Sequence, residues 1–477
     1  MGVARQSYRR TLVALTFAAS TFSLAQTVVV PALPALRRDL HASTEWSTWL
    51  FTAFLLTAAV STPLAGKLGD QFGKRRLLLF LFALFVIGTF GACFAWNIWA
   101  LIAFRALQGC AGGVFPLSYG IVRDEFPPEK VAWAFGFIST AFAIGGGAGL
   151  LISGLCIDYL SWRWMFALLT LASVLSFLLV LLAVPESRVR TPSRLDVPGA
   201  VLLSVGLATF LLGVTEGSHW GWSSARVLGL FAASVVAFGA WPVLELRVPE
   251  PLIDTRLFVY RPVLVVNGLM FILGLALVNT FILIPVLVQA PRGLSAPVAQ
   301  LVHYGFGASA TRTGLIMLPQ SLTITPGGML SGPLGRRFGL RWPLGAGMLM
   351  LAGCALVLAL WHAHPWQIGA AMAVYGFGFG LAFTAAMTVI AESVPANVMG
   401  VAGGLTAIMR TVGLQVGAQV GAAILAAEVI AGTTVPAESA FVVAFVISGA
   451  LALVGLVVSL VALPRGGLRG APELAAA

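Results

Sequence analysis

Charge is scarce in this chain. Of 477 residues only 9% are Asp, Glu, Lys or Arg, 59% are apolar, and the mean hydropathy is +0.97. Soluble domains carry about 25% charged residues, so charged surfaces for a soluble chain of this length cannot be built. A disordered chain needs polarity that is also missing. Lysine is rare, and the arginines sit in short loops instead of a basic stripe. The net charge of +11 therefore does not mark a nucleic-acid binder. Cys93, Cys110, Cys156 and Cys354 fall inside apolar stretches without CxxC or CxxH spacing, which reads as small membrane residues and not disulfides or metal ligands. No GxxxxGK[ST] phosphate loop is present, so nucleotide hydrolysis is not the direct energy source, and no catalytic residue or cofactor is expected. A bilayer-embedded chain remains, with about 20 apolar residues for each span.

Long apolar runs supply those spans. The start, MGVARQSYRR followed by TLVALTFAASTFSLA, has the outline of a signal peptide, but the apolar run continues to Leu36 and fits a retained first span. Runs begin near Thr11, Ser47, Leu77, Trp99, Val131 and Trp164. Two more cover 197–215 and 227–246, and six follow at 263–290, 313–334, 342–361, 367–391, 400–427 and 440–463. The expected fold is an all-α membrane protein with 14 transmembrane helices. Residues 1–184 form an N-terminal six-helix half, 185–262 a linker with an inserted two-helix hairpin, and 263–477 a C-terminal six-helix half with a short tail. An even count places both termini on one side. With that side cytoplasmic, inner segments hold 20 Lys and Arg against 6 in outer segments, as the positive-inside rule requires. Trp46, Trp49, Trp96 and Trp99 are expected to be interfacial anchors at outer ends.

The halves repeat. GKLGDQFGKRR (Gly66–Arg76) recurs as GPLGRRFGLRW (Gly332–Trp342) at an offset of 266, and Pro127 in VRDEFPPEK matches Pro395 in IAESVPANV at 268. Parallel repeats suit alternating access around a site between the halves.

These residues resemble the major facilitator superfamily and, within it, the 14-helix drug:proton antiporter family. The loop after helix 2 matches through Gly66, Leu68, Asp70, Gly73, Lys74, Arg75 and Arg76. Helix 4 matches through RALQGCAGG, including Arg105 and Gln108, and SWRWMF, DVPGAVLLSVGL and GVAGGLTAIMRTVG look like the family's segments at helix 6, the hairpin and helix 13. The resemblance implies a gating cluster of Gly66, Asp70, Gly73, Lys74, Arg75 and Asp124 (or Glu125) that breaks as the cavity opens inward. It also implies coupling through Arg105, Gln108 and Asp70. Gly66 and Gly73 allow close backbone approach at a turn, and Asp70 is expected at a helix N-terminus. An intramembrane Arg costs roughly 2.5–3.5 kcal/mol on insertion scales, so Arg105 is expected to face a cavity or a partner; carbonyls of helix 1 are the bland alternative.

Three departures from the family stand out. Helix 1 reads Leu24-Ala25-Gln26-Thr27 where the family has Leu-Asp-x-Thr. Helix 5 keeps the packing glycines Gly145, Gly149 and Gly154 but has Leu150 in place of Pro. None of the 17 acids falls in the middle of a span by these boundaries, and all five histidines fall in outer loops. Candidate cavity residues are Gln26, Thr27, Asn267, Asn279, Gln320, Tyr375 and Arg410, polar groups in apolar helices that equally suit helix–helix hydrogen bonds. The loop 291–312 is either a lid or a connector. The expected function is a monomeric multi-pass plasma-membrane exporter of small amphiphilic compounds by proton antiport, with substrate, protons and lipid as partners and no nucleic acid. Neutral or anionic amphiphiles suit it better than dications. An uncoupled facilitator or metabolite transporter is the alternative.

Overall fold

The computed structural model describes residues 2–42, 44–187, 196–248, 260–277, 282–290, 304–394, 399–430 and 436–463. Among them the regular structure is almost wholly helical, as hydrocarbon demands of a backbone that must satisfy its own polar groups. Among the described residues there are seventeen α-helices and one 3₁₀ turn. The first eight are α1 (Gly2–Thr27), α2 (Leu33–Asp39), α3 (Thr44–Phe72), α4 (Lys74–Cys93), α5 (Ile98–Gly109), α6 (Val114–Glu125), α7 (Pro128–Tyr159) and α8 (Trp162–Ala183). Next come α9 (Val197–Trp220) and α10 (Ala225–Glu245). The remainder are α11 (Arg261–Ala276), α12 (Ile284–Gln289), α13 (Ala310–Phe338), α14 (Arg341–Leu360), α15 (Pro365–Ser393), α16 (Met399–Ala427) and α17 (Glu438–Ala462). Ten helices are long and apolar enough to cross a membrane among the described residues, and Ile144–Tyr159 and α11 are shorter apolar helices.

Local chemistry sets the helix ends. Asn97, Ser161, Asp196, Ser224 and Ser309 each accept a backbone N–H in the first turn of the helix they open. Gly73 and Gly339 end α3 and α13 with φ of +105° and +88°, a conformation glycine adopts at little cost. These two turns are separated by 266 residues, so the sequence repeat is also a repeat of backbone shape. The run 263–290 is not one continuous helix: α11 stops at Ala276 and α12 starts at Ile284. Likewise α5 and α6 are one run interrupted by a 3₁₀ turn at Cys110–Gly113. There a Cβ on Gly112 would stand 2.5 Å from the Ala58 carbonyl oxygen, so the glycines let α3 press against the interruption.

Packing sorts the helices into two groups. In the first, α1 packs on α7 and α8, and α4 on α5 and α8; in the second, α13 packs on α15, α14 on α15 and α17, and α11 on α16. The hairpin α9–α10 packs on itself, and α9 also touches α3 and α16. The groups meet through α7 against α13, α3 against α16, and α6 against α16. Outer faces are apolar, with Leu182 82% and Val235 71% exposed, a surface suited to lipid. We call the end carrying Gly73 and Gly339 the motif end, and the opposite one the far end. At the far end His362, expected in an outer loop, is buried: Nδ1 lies 2.7 Å from the Leu358 carbonyl and Nε2 3.2 Å from the Glu438 carboxylate. Nearby, Tyr304 donates its hydroxyl to the Pro436 carbonyl and packs its ring on Phe441. Burial, aided by the charge of Glu438, pushes that hydroxyl up to about 12. Residues 291–303, most of the expected lid or connector, lie outside the described residues.

Candidate functional site

At the motif end the turn at Gly73 swings Lys74 into the protein. Its ammonium, 5% exposed, lies 2.8 Å from Asp70 and 2.7 Å from Asp124, which is 3% exposed. Asp124 also accepts from Ser187 Oγ at 2.7 Å and from the Arg123 guanidinium at 2.9 Å. Asp70 thus meets a side-chain cation across the turn instead of a helix N-terminus. The Arg75 backbone N–H donates to Glu186 at 3.2 Å, and its guanidinium to the Leu181 carbonyl at 2.6 Å. Arg76 is 68% exposed and 3.8 Å from Glu186. A Cβ on Gly73 would stand 2.7 Å from a Glu186 oxygen. Gly66 differs from expectation. It lies inside α3 two turns before the bend, and a Cβ there would meet nothing within 4 Å. Glu186 and Ser187 complete the cluster from the segment after α8. Only the acidic and hydroxyl residues following that helix hinted at them.

Arg105 is fully buried. It donates Nε to the Leu50 carbonyl at 2.9 Å, and Nη1 to the Ala25 carbonyl at 2.9 Å and to Gln108 Oε1 at 2.7 Å. Its guanidinium lies 4.3 Å from the centre of the Phe54 ring. Gln108 Nε2 then donates to the Gly88 carbonyl at 3.1 Å. The pair binds α1, α3, α4 and α5 into one unit. Ala25 stands where the resembled family has its acid, and it offers Arg105 a backbone carbonyl only.

Along α7 the small residues face two ways. A Cβ on Gly145 would lie 2.0 Å from the Ser20 carbonyl oxygen, and one on Gly149 2.1 Å from Thr27 Oγ1, so these glycines seat α1. Thr27 Oγ1 donates to the Gly146 carbonyl at 2.9 Å. Gly154 faces the second group, where a Cβ would lie 2.6 Å from Thr311 Cα. Asp158 accepts from the Thr311 N–H at 2.8 Å, at the start of α13. Gln415 of α16 donates to Thr52 of α3 at 3.3 Å and to Thr215 of α9 at 3.0 Å. The two groups are therefore in close contact toward the far end. Toward the motif end a Cβ on Gly136, Gly332 or Gly404 would meet nothing.

A cavity opens between the groups on the motif side, lined by Phe115 and Tyr119 of α6, Phe383 and Met387 of α15, and Thr406 and Arg410 of α16. Arg410 is held there because α11 crosses its backbone: a Cβ on Gly274 would lie 2.1 Å from the Arg410 carbonyl oxygen. Of the residues expected at the cavity, Arg410 lines it. Gln26, Thr27, Asn267, Gln320 and Tyr375 are buried elsewhere. Helix contacts draw in several of them; a Cβ on Gly376, beside Tyr375, would lie 2.0 Å from the Gln320 carbonyl. Asn279 lies outside the described residues. Two other differences concern α9. It runs to Trp220, past the expected limit of 215, so Glu216 is inside a helix and 3% exposed. Trp49 donates its indole N–H to Glu216 at 2.8 Å and so is more than an interfacial anchor.

Known proteins give the same architecture. A family model described as Major Facilitator Superfamily matches residues 15–418 and 269–474. The tetracenomycin C resistance and export protein of Streptomyces glaucescens is 31% identical over 404 residues, covering 83% of this chain and 72% of that protein. The multidrug transporter protein MdtP of Bacillus subtilis (strain 168) is 27% identical over 402 residues, again covering 83% and 72%. Among solved structures, the human organic anion transporter MFSD10 (TETRAN) shares the fold with a TM-score of 0.64 and 18% identity, over 94% of this chain and 99% of that one.

Proposed function

The chain belongs to the major facilitator superfamily, alongside transporters named for drug and antibiotic resistance, and from that premise we propose that it exports small amphiphilic compounds by proton antiport. It is a membrane transporter and not an enzyme. Fourteen spans follow when α1, α7, α11 and α13 join the ten long apolar helices, with residues 1–184 and 263–477 as moving halves. The excess of Lys and Arg supports a cytoplasmic motif end and cytoplasmic termini in a plasma-membrane protein, which we propose acts as a monomer.

The observation that carries this reading is the asymmetry between the ends. Contacts through Gly154, Asp158 and Gln415 seal the far end, while the cavity opens on the motif side. This asymmetry supports an inward-facing state of alternating access. Aromatic and thioether walls with one guanidinium suit neutral or anionic amphiphiles. The Asp70–Lys74–Asp124 cluster is intact although the cavity opens on this side, so instead of breaking as the cavity opens inward it acts here as a brace within the first group, and Arg105 with Gln108 keeps that half rigid. The test is flux of the anionic dye 8-anilinonaphthalene-1-sulfonate across protein-containing liposomes, with a pH gradient imposed and then collapsed. Dye movement that stops with the gradient supports antiport. Movement only down the dye's own gradient supports the second reading, an uncoupled facilitator, which Ala25 in place of an acid favours. Inhibition by anionic but not cationic competitors is expected, and equal inhibition by cations rejects the assigned substrate class.

A further inference from the structure

An antiporter without an acid in helix 1 needs another group to carry the proton. The carboxylates at the motif end are engaged, Asp70 and Asp124 by Lys74. Asp158 caps α13, and Asp196 accepts the Gly199 N–H at the start of α9. Glu216 stands apart from these. It is 3% exposed on a helix of the inserted hairpin, accepts the Trp49 indole N–H at 2.8 Å, and forms no ion pair among the described residues. Its second oxygen is buried with no hydrogen-bond donor. The next residue back, Thr215, accepts from Gln415, which also reaches Thr52. Glu216 therefore sits where the hairpin, the first half through α3 and the second half through α16 meet.

Few charges share this junction. Arg226 of α10 holds its guanidinium 5.7 Å from the centre of the Trp220 ring. Arg410 of α16 is five residues from Gln415 toward the cavity, about 7.5 Å along the helix. On α3 the nearby described groups are Trp49 and Thr52. The side chains of Glu45 and His219 lie outside the described residues.

We infer that Glu216, supplied by the hairpin, is the carboxyl group that binds the proton exchanged for substrate. This assignment rests on the antiport reading. An ionisable residue within a span marks an ion pathway or a proton relay by default, and this one sits next to Thr215, which shares Gln415 with Thr52 at the contact between the two groups. With the far end open, the carboxylate takes one proton from the outer water. After the halves rock back, the acid returns that proton to water on the motif side. One O–H bond forms and the same bond breaks, with no other change in either step.

Liposome flux of 8-anilinonaphthalene-1-sulfonate tests the assignment in wild type, Glu216→Gln and Trp49→Phe. Glutamine keeps the acceptor for Trp49 and removes the titration. Glu216→Gln is expected to lose gradient-driven flux about tenfold or more, with flat external-pH dependence, while downhill exchange stays within about twofold. Trp49→Phe keeps the carboxyl and is expected to stay gradient-driven. The assignment is overturned by wild-type gradient-driven flux in Glu216→Gln, or by equal loss of downhill exchange in both variants, which marks a structural tie. If Glu216→Gln does not assemble, Glu216→Asp decides: a displaced pH profile supports the assignment and an unshifted one overturns it. A wild type that ignores the gradient rejects the antiport reading itself, and this assignment with it, in an experiment that involves no variant.

Discussion

Lys74 and Arg76 are both cations of one short segment, yet their surroundings give them different weight. Lys74 is 5% exposed between Asp70 and Asp124, whereas Arg76 is 68% exposed and 3.8 Å from Glu186. Removing one partner of a buried ion pair costs about 3–5 kcal/mol, and an exposed pair contributes about 0–1 kcal/mol. Lys74→Met is therefore expected to lower the unfolding temperature in detergent far more than Arg76→Met; equal shifts would reject the buried-pair account. Arg410 is the charge that lines the cavity. A charge-assisted hydrogen bond to an anionic ligand contributes about 1.5–3 kcal/mol, so Arg410→Leu is expected to weaken dye binding about 10- to 100-fold. Arg410→Lys is expected to recover part of that loss, and a neutral amphiphile should be affected much less. Fluorescence titration of purified protein measures all three. Lys74 and Arg410 stand out in the sequence because charge is rare there. Glu186 and Glu216 were hidden, one after a helix and the other one residue beyond an expected helix end.

Helix α7 shows how small residues assign faces. Gly145 and Gly149 lie against α1, and Gly154 against α13, where the halves meet. Gly149→Val would push a side chain against Thr27 Oγ1, 2.1 Å from its Cβ position. Overpacking of this kind costs about 1–3 kcal/mol, and a lower unfolding temperature with less assembled protein is expected. Gly404 on α16 is the contrasting case, with open space around it in this conformation. Gly404→Leu should leave thermal stability near wild type but slow transport, because the proposed alternating access closes the motif side over the cavity in the opposite state. Undiminished flux would show that α16 does not take part in that closure. The glycine spacing on α7 was legible in the sequence. The partner of each glycine was not, since helical spacing defines a face without naming the helix that covers it.

At the scale of the whole molecule, the proposed alternating access requires the far end, where the two groups touch, to open. With cysteines at Asp158 and Thr311 in a background lacking Cys93, Cys110, Cys156 and Cys354, oxidation is expected to link α7 to α13. Dye flux should stop, and a reductant should restore it; a linked protein that still transports would rule out opening at that contact. The sequence by itself determined a great deal about this architecture. Sparse charge and long apolar runs dictate helices in a bilayer, because hydrocarbon offers the backbone no other hydrogen-bond partner. The recurrence of one glycine turn 266 residues later dictates two related groups of helices. These are local or periodic properties, written in composition and spacing. Which polar groups line the cavity, which end is sealed, and where a buried acid touches both groups were decided only by the tertiary structure. Gln26 and Gln320 look as suitable as Arg410 along the chain. Only the crossing of α11, α15 and α16 puts Arg410 at the cavity and leaves both glutamines buried away from its lining. A side chain's surroundings depend on the helices packed against it, and those come from distant parts of the chain.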